Sequence, residues 1–430
     1  IGQEMIAMDR RKFVGTAAAA SGILLLKPKT VFGYEANSAV RLALLGCGSR
    51  GTSVAESFLN NTSARIVALA DLFPDKLGPA KTRLDEVGVQ KGYSRIDDKM
   101  MFHGYKAYEE IAASSEVDAV QISTTPFFHV QHLDAAVRGG KHVYCEKPIG
   151  VDVAQAKQAL QIGKRADGHV SLEVGFQIRS APPFVEMVHR IQQGALGKIG
   201  AIAAYYNAPG VSYPDMPNMS PDELRIRRWY WDRVLSGDII VEQAIHLIDI
   251  CNWTLQSHPI KATGVGGRNI ISHPGDTWDN YEVAFTYPGN IHIGFSCTQF
   301  GPNDWFDVSA RMFGADGHAE IPYSGAMRIV GENSWTWAGD QSAQPVAPTK
   351  FAANGVFSDN LADAQKEKDR GFIESITSGN FHNQAAAGVE TALSAMLGRM
   401  AGRRGGEVTW EELMQHGETY ELGINMNQFS

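Results

Sequence analysis

Residues 40–51, VRLALLGCGSRG, open with a short apolar run of strand length and then break into glycines at Gly46, Gly48 and Gly51. The pattern of residues 52–59 predicts a helix directly after this loop. Such a loop directs backbone N–H groups and the positive end of a helix dipole at one point, which suits a pyrophosphate. Gly46 permits the tight turn, Gly48 lets phosphates approach, and Gly51 lets helix and strand pack closely. The alternative is an ordinary glycine turn.

A second strand pattern, residues 66–70, ends in Asp71. An acid about 20 residues after the glycine loop can bind the 2′-hydroxyl of a ribose. A carboxylate there would repel a 2′-phosphate, so Asp71 favours NAD over NADP. The alternative is that Asp71 only caps the helix that begins near Pro74.

Strand and helix patterns alternate as far as residue 175, which predicts parallel strands joined by crossover helices in a doubly wound sheet. Beyond Phe176, strand patterns follow one another without helices between them, which predicts a large, open, mainly antiparallel sheet in an α+β domain. Helical patterns over residues 362–378 and 384–400 are expected to pack back on the first domain. The predicted domains are a leader or arm, a dinucleotide-binding domain and a substrate-binding and oligomerisation domain, over residues 1–37, 38–175 and 176–430.

Length and composition bound the functional class. The chain has 430 residues, 44% of them hydrophobic, and a net charge of −8, which gives no general attraction to nucleic acid or to an anionic membrane. A small-molecule partner is therefore expected. The four cysteines are widely separated, so we expect neither a metal site nor a disulfide framework.

The N-terminus carries Arg10 and Arg11, then Phe13 and an Ala- and Leu-rich run over residues 17–26. This pattern resembles a twin-arginine export leader and predicts a periplasmic or exported protein. The apolar run falls short of the about 20 residues of a membrane span, so stable membrane insertion is not expected. The alternative is a basic arm that remains on a cytoplasmic protein.

Two motifs carry candidate catalytic groups. Lys147 in Glu146-Lys147-Pro148 follows the strand pattern of residues 142–145, and a lysine at the carboxyl end of a parallel strand points into the ligand crevice. It can donate a hydrogen bond to a substrate hydroxyl; the alternative is a solvated lysine before a turn proline.

In a single helix, Glu242, His246 and Asp249 would share one face. A carboxylate one turn from an imidazole can orient it as a general base for a hydroxyl proton. A hydrogen-bonded structural face and a pair of metal ligands are the alternatives. Trp229 and Tyr230, with Trp231, are typical of a sugar-stacking wall or of ordinary packing.

The sequence resembles the Gfo/Idh/MocA oxidoreductases in four stretches that follow in order. These are the loop GCGSRG, the strand end TTP with His129, GGKHVYCEKP over residues 139–148 and GDIIVEQAIHLID over residues 237–249. The family includes glucose-fructose oxidoreductase and inositol dehydrogenase. The resemblance extends over nearly the whole chain after the leader and implies a Rossmann domain, a large open sheet that mediates homo-oligomers such as dimers or tetramers, and a nicotinamide cofactor. It implies that Lys147 bridges nicotinamide and substrate and that His246 is the acid/base, while Glu242 stands where many members have Asp. The residues then expected to bind cofactor are Gly46, Gly48, Ser49, Arg50, Gly51, Asp71, Thr124, Pro126, His129, Glu146 and Lys147; those expected to bind substrate are Lys147, Trp229, Tyr230, Glu242 and His246.

The expected activity is hydride transfer between a sugar or sugar-derivative hydroxyl and a tightly bound NAD. Export raises the question of how the cofactor is regenerated where free NAD is scarce. Paired oxidation and reduction of two sugars is one answer; the alternative is a redox-neutral glycosidase resembling glycoside hydrolase family 109. A third hypothesis is a sugar-binding sensor without turnover.

Overall fold

The computed structural model describes residues 39–302, 305–338 and 358–430. Residues 39–430 form one compact unit. The predicted leader, residues 1–37, lies outside the described residues.

Two sheets dominate the described residues. Their strands are β1 Arg41–Leu45, β2 Arg65–Asp71, β3 Met101–His103, β4 Ala119–Ile122, β5 His142–Cys145, β6 Leu172–Val174, β7 Ile199–Ala208, β8 Lys261–Gly267, β9 Asn280–Tyr287, β10 Ile291–Gln299, β11 Asp307–Gly314, β12 Gly317–Pro322, β13 Arg328–Gly331, β14 Trp335–Thr336 and β15 Glu407–Thr409. The helices are α1 Ser49–Asn61, α2 Pro74–Gln90, α3 Ala107–Ala113, α4 His129–Arg138, α5 Val153–Ala166, α6 Pro182–Gln192, α7 Pro221–Arg227, α8 Arg233–Ser236, α9 Ile239–Glu242, α10 Ile245–Leu255, α11 Ala364–Ser378, α12 Ala385–Arg404 and α13 Trp410–His416.

The first sheet is parallel throughout, in the order β3-β2-β1-β4-β5-β6. Its strands β1, β4 and β5 are almost wholly buried, as expected for a sheet covered by helices on both faces. The strand order reverses between β1 and β4, so the crevice for a ligand lies at the carboxyl ends of these two strands. The predicted doubly wound sheet is confirmed.

The second sheet has the order β14-β13-β12-β11-β7-β10-β9-β8-β15 and is antiparallel except for the pairing of β7 with β10. Along β7, buried residues alternate with more exposed ones, so one face packs on helices and the other is open. The predicted large, mainly antiparallel sheet is confirmed.

The two C-terminal helices close the fold. Helix α11 packs on α1, and α12 lies between β8 and β9 of the second sheet and α5 and β6 of the first. Small residues make this close approach possible: a Cβ on Gly398 would lie 2.7 Å from the Phe285 ring, and one on Gly388 would lie 3.0 Å from Val174. Both helices thus contact elements of the N-terminal half, α11 through α1 and α12 through α5 and β6.

One helix prediction is wrong. Residues 242–249 do not form a continuous helix, because α9 ends at Glu242 and α10 begins at Ile245. Gln243 and Ala244 lie between the two helices, and the Gln243 side chain accepts a hydrogen bond from the Tyr230 hydroxyl. Glu242 and His246 therefore lie at the junction of two short helices and do not share a regular helical face.

Candidate active site

The glycine loop has the geometry that a pyrophosphate site needs. Gly46 has a φ of +98°, and a Cβ there would lie 2.5 Å from the Ser123 carbonyl group at the end of β4. A Cβ on Gly51 would lie 2.0 Å from the Gly46 oxygen. By contrast, nothing lies within 4 Å of the Cβ position of Gly48.

Gly48 is the N-cap of α1, so no side chain caps the N–H groups that begin this 13-residue helix at Ser49. Uncapped N–H groups and the helix dipole favour an anion at this point. The loop fits a dinucleotide pyrophosphate.

Asp71 ends β2 directly beside this loop. Its carboxylate accepts hydrogen bonds from the backbone N–H of Cys47 at 2.7 Å and of Phe73 at 2.9 Å. Burial raises its pKa, and these two N–H donors oppose the rise. The N-cap of α2 is Phe73 and not Asp71, so Asp71 braces the loop and the chain entering α2 without capping the helix. Its role toward a ribose remains a prediction.

Arg50 joins the loop to the other side of the crevice. Its Nε donates to Glu146 Oε1 at 2.9 Å and its Nη2 to Gln365 Oε1 at 2.7 Å and to Gln177. The guanidinium therefore holds Glu146, the residue before Lys147. The Arg50 side chain thus positions the Glu146-Lys147 turn, and the contact of Arg50 with the cofactor remains a prediction.

Lys147 and Glu242, 95 positions apart in sequence, form an ion pair with Nζ and Oε1 2.7 Å apart. The backbone carbonyl of Glu242 accepts a second hydrogen bond from the same ammonium group. Both side chains are mostly buried, with 14% and 12% exposed. Glu242 thus holds Lys147 at the carboxyl end of β5.

His246 is buried beside this pair. Its Nδ1 has no hydrogen-bond partner among the residues that the structure describes, and its ring packs edge-on against Phe176 at a centroid distance of 6.0 Å. Burial, followed by the positive charges of Lys147 and Arg50, lowers its pKa well below the usual value. The imidazole is therefore neutral at neutral pH. The expectation that Glu242 orients His246 is not met, because the Glu242 carboxylate is bonded to Lys147 instead.

His129 acts as a brace. Its two ring nitrogens each lie 2.8 Å from a backbone carbonyl, that of Pro148 and that of Thr124. It thereby ties the loop after β4, which contains Pro126, to the turn that carries Lys147. Its predicted direct contact with the cofactor remains a prediction, and its ring nitrogens are both occupied. Burial lowers its pKa.

The three residues of the predicted aromatic wall, Trp229, Tyr230 and Trp231, make different contacts. Tyr230 is buried, and its hydroxyl bonds Gln243 and, at 2.9 Å, Gln299. Burial raises the pKa of Tyr230, and the negative charge of Glu242 raises it further. Trp231 stacks on His273 instead, with ring centroids 4.3 Å apart. Trp229 packs edge-on against Tyr230, with ring centroids 5.6 Å apart, and also lies against the apolar cluster that contains Phe73 and Phe128.

Gln243 and Gln299, which both bond the Tyr230 hydroxyl, are not among the site residues predicted from the sequence. Gln243 could have been predicted, because it directly follows the candidate residue Glu242. Gln299 ends β10, and no motif in the sequence marks it as a site residue. Asp249 has a structural role, since it pairs with Arg179 at 2.8 Å and accepts a hydrogen bond from Thr391.

A glycine loop at a helix N-terminus, set across a sheet crevice from a buried lysine and a neutral histidine, defines a dinucleotide-binding protein of the oxidoreductase class. The model of the oxidoreductase family with an NAD-binding Rossmann fold matches residues 40–174, and the GFO/IDH/MocA C-terminal domain matches residues 184–320. The chain belongs to the GFO/IDH/MocA oxidoreductase family.

Individual relatives are distant. An inositol 2-dehydrogenase of Rhizobium meliloti is 27% identical over 245 residues, 57% of this chain and 64% of the relative. A glycosyl hydrolase family 109 protein of Streptomyces niveus is 29% identical over 136 residues, 32% of this chain and 26% of the relative. The chain thus spans less than two thirds of the length of either protein. A levoglucosan dehydrogenase, solved in complex with NADH and levoglucosan, has the same fold, with a TM-score of 0.67 and 15% identity over 86% of this chain and 99% of that one.

Proposed function

We propose that this protein is an NAD-dependent oxidoreductase that transfers hydride between a hydroxyl group of a sugar or polyol and the cofactor. The observation that carries the proposal is the convergence of Lys147, Glu242 and His246 at the carboxyl end of β5, in the crevice that the glycine loop borders. Relatives that act on inositol and levoglucosan support a polyhydroxylated substrate. The carboxylate of Asp71 supports NAD over NADP.

Each of the three residues has a defined task. His246 is neutral and has a free Nδ1, so it can accept the proton of the substrate hydroxyl. Lys147, held by Glu242, donates a hydrogen bond to the same oxygen and stabilises the negative charge that develops there. The bound nicotinamide supplies the redox chemistry as hydride acceptor.

The test is Lys147→Met, assayed as NADH formation with a panel of sugars and inositols. We expect activity to disappear, because the oxygen loses its charged donor while the side chain keeps its volume. The matched control is Lys261→Met, which breaks an exposed ion pair with Glu407 of the same 2.7 Å length. Normal turnover by Lys147→Met would refute the assigned chemistry.

A second candidate is a redox-neutral glycosidase, and the similarity to a glycosyl hydrolase family 109 protein favours it. In this reaction a ring hydroxyl is oxidised, the acidified neighbouring C–H loses its proton, the aglycone leaves by elimination, water adds and the hydride returns. The distinguishing result is release of aglycone from a chromogenic glycoside without net NADH. NADH accumulation in step with substrate loss would exclude it.

We also propose that the chain is exported through a twin-arginine leader and assembles as a homo-oligomer through the open face of the second sheet. The twin arginines Arg10 and Arg11 support export. Small exposed residues in adjacent strands, Ala203, Gly294 and Ala284, support a flat contact between sheets. Fractionation of cells and light scattering of the purified protein test the two proposals. No helix in the described ranges is long and apolar enough to cross a membrane.

A further inference from the structure

The segment after α13, residues 417–430, crosses the molecule from α12 to the parallel sheet. At its start, Glu418 Oε2 accepts from Arg399 Nε at 3.1 Å and its Oε1 from Arg233 Nη1 at 2.6 Å. The backbone N–H of Tyr420 donates to Asp152 Oδ2 at 2.8 Å. We call residues 417–430 the strap. Its first part is thus fixed by charged and backbone contacts.

The far end of the strap lies on the carboxyl edge of the parallel sheet. The Phe429 carbonyl accepts from the N–H of Tyr105, just after β3, at 2.9 Å, and its ring packs edge-on against Phe73, just after β2, at 5.8 Å. Met426 is buried in a cluster with Phe73 and with Phe128, which follows β4. A Cβ on Gly104 would lie 2.8 Å from the Phe429 oxygen. The strap therefore contacts the ends of three strands.

Helix α7 forms hydrogen bonds with the strap. Arg225 Nη1 donates to the Leu422 carbonyl at 2.6 Å, and Gln428 Nε2 donates to Asp222 at 2.9 Å. In turn, Arg227 pairs with Asp75 in the first turn of α2 at 2.6 Å, with its guanidinium 3.8 Å from the centroid of the Phe73 ring. Strap and α7 together bridge the edge of the sheet beside Asp71.

This edge is where a dinucleotide lies in such sheets, with its adenosine end beyond the first two strands. We propose that the strap and α7 form the outer wall of the adenosine end of the cofactor site, so that the dinucleotide leaves only after the strap detaches. The inference rests on the proposed function and deepens it. In this proposal NAD stays bound to the protein between turnovers and is reduced and reoxidised without leaving its site.

The test measures release of NADH. The full-length protein is loaded with NADH, mixed with excess NAD, and followed by the loss of NADH fluorescence in a stopped-flow instrument. We expect the double variant Arg227→Ala/Phe429→Ala to release NADH at least tenfold faster than the wild type. Tenfold corresponds to about 1.4 kcal/mol.

The matched control is Arg404→Ala/Phe381→Ala. Arg404 pairs with Glu412 at 2.5 Å. Phe381 packs edge-on against His142, the first residue of β5, at the amino ends of the parallel strands and away from the proposed cofactor site. This variant should release NADH at the wild-type rate. Equal rates of NADH release for the wild type and both variants would overturn the proposal that the strap retains the cofactor, and would leave the proposed function standing. A wild-type protein that binds no NADH would overturn both proposals.

A second measurement needs no variant. Hydrogen exchange of wild-type peptides from residues 417–430 is compared with and without NAD. Bound NAD should slow their exchange severalfold; identical exchange would overturn the proposal.

Discussion

Replacing Glu242 with Gln tests the most informative contact in the site. Gln keeps the length of the side chain and an oxygen acceptor, and the Glu242 backbone carbonyl remains able to accept from Lys147. The substitution therefore removes the negative charge 2.7 Å from the Lys147 ammonium and little else. Lys147 is then held less firmly, and its charge in this mostly buried place is uncompensated.

The size of the effect follows from the burial of the pair. A hydrogen bond to a charged group contributes about 1.5–3 kcal/mol. Removing one partner of a fully buried pair costs about 3–5 kcal/mol. Because 14% of Lys147 and 12% of Glu242 remain exposed and both oxygen acceptors survive the substitution, the lower range applies. We expect kcat/KM to fall by about 10- to 150-fold.

The assay is NADH formation at saturating NAD, with thermal unfolding measured alongside. The matched control is Glu407→Gln, whose partner Lys261 lies at the same 2.7 Å but with both side chains about half exposed. An exposed pair contributes about 0–1 kcal/mol, so this variant should stay close to the wild type. Equal kcat/KM for the two variants would refute the view that Glu242 positions Lys147.

The remaining predictions concern His246 and the glycine loop. His246→Gln should lower kcat/KM by about 10²–10⁴-fold, and the acid limb of the wild-type pH profile should lie below pH 6.5, because burial lowers the His246 pKa. Below pH 6.5 the unfolded chain binds a proton at His246 that the folded chain does not. As the pH falls, the free energy of unfolding of the wild type should therefore decrease relative to that of His246→Gln, by up to about 1.4 kcal/mol per pH unit. Parallel curves of unfolding free energy against pH for the two proteins would contradict this. Gly46→Ala, at a φ of +98° and against the Ser123 carbonyl, should destabilise the protein by about 1–3 kcal/mol in urea unfolding. Gly48→Ala, in open space, should leave apo stability unchanged and weaken NAD binding in calorimetry; the reverse order of the two effects would refute the assigned glycine roles.

Much of the fold was predictable because its signals are local. The apolar run of β1, the glycine break and the alternation of strands and helices fix the parallel sheet from short windows of sequence. Strand β3, Met101–His103, escaped because it is three residues long, lies at the sheet edge and is only half buried. The break after Glu242 was not predicted, because residues 238–255 contain no Pro or internal Gly that would mark the end of a helix.

The residues of the candidate site stood out in the sequence, but their contacts with one another did not. Lys147, Glu242 and His246 each stood out from motif and position. Nothing local indicates that Glu242 reaches Lys147, 95 positions away, in preference to His246, one turn on. The strap shows the same limit, since Phe429 meets Phe73 only through the complete fold.

We propose above all that this chain carries a nicotinamide dinucleotide in the crevice of its parallel sheet. Native mass spectrometry of the purified protein, before and after incubation with saturating NAD, tests it most directly because it detects both retained and newly bound cofactor. We predict one dinucleotide per chain. The mass of the bare chain alone, in both samples, would contradict the account.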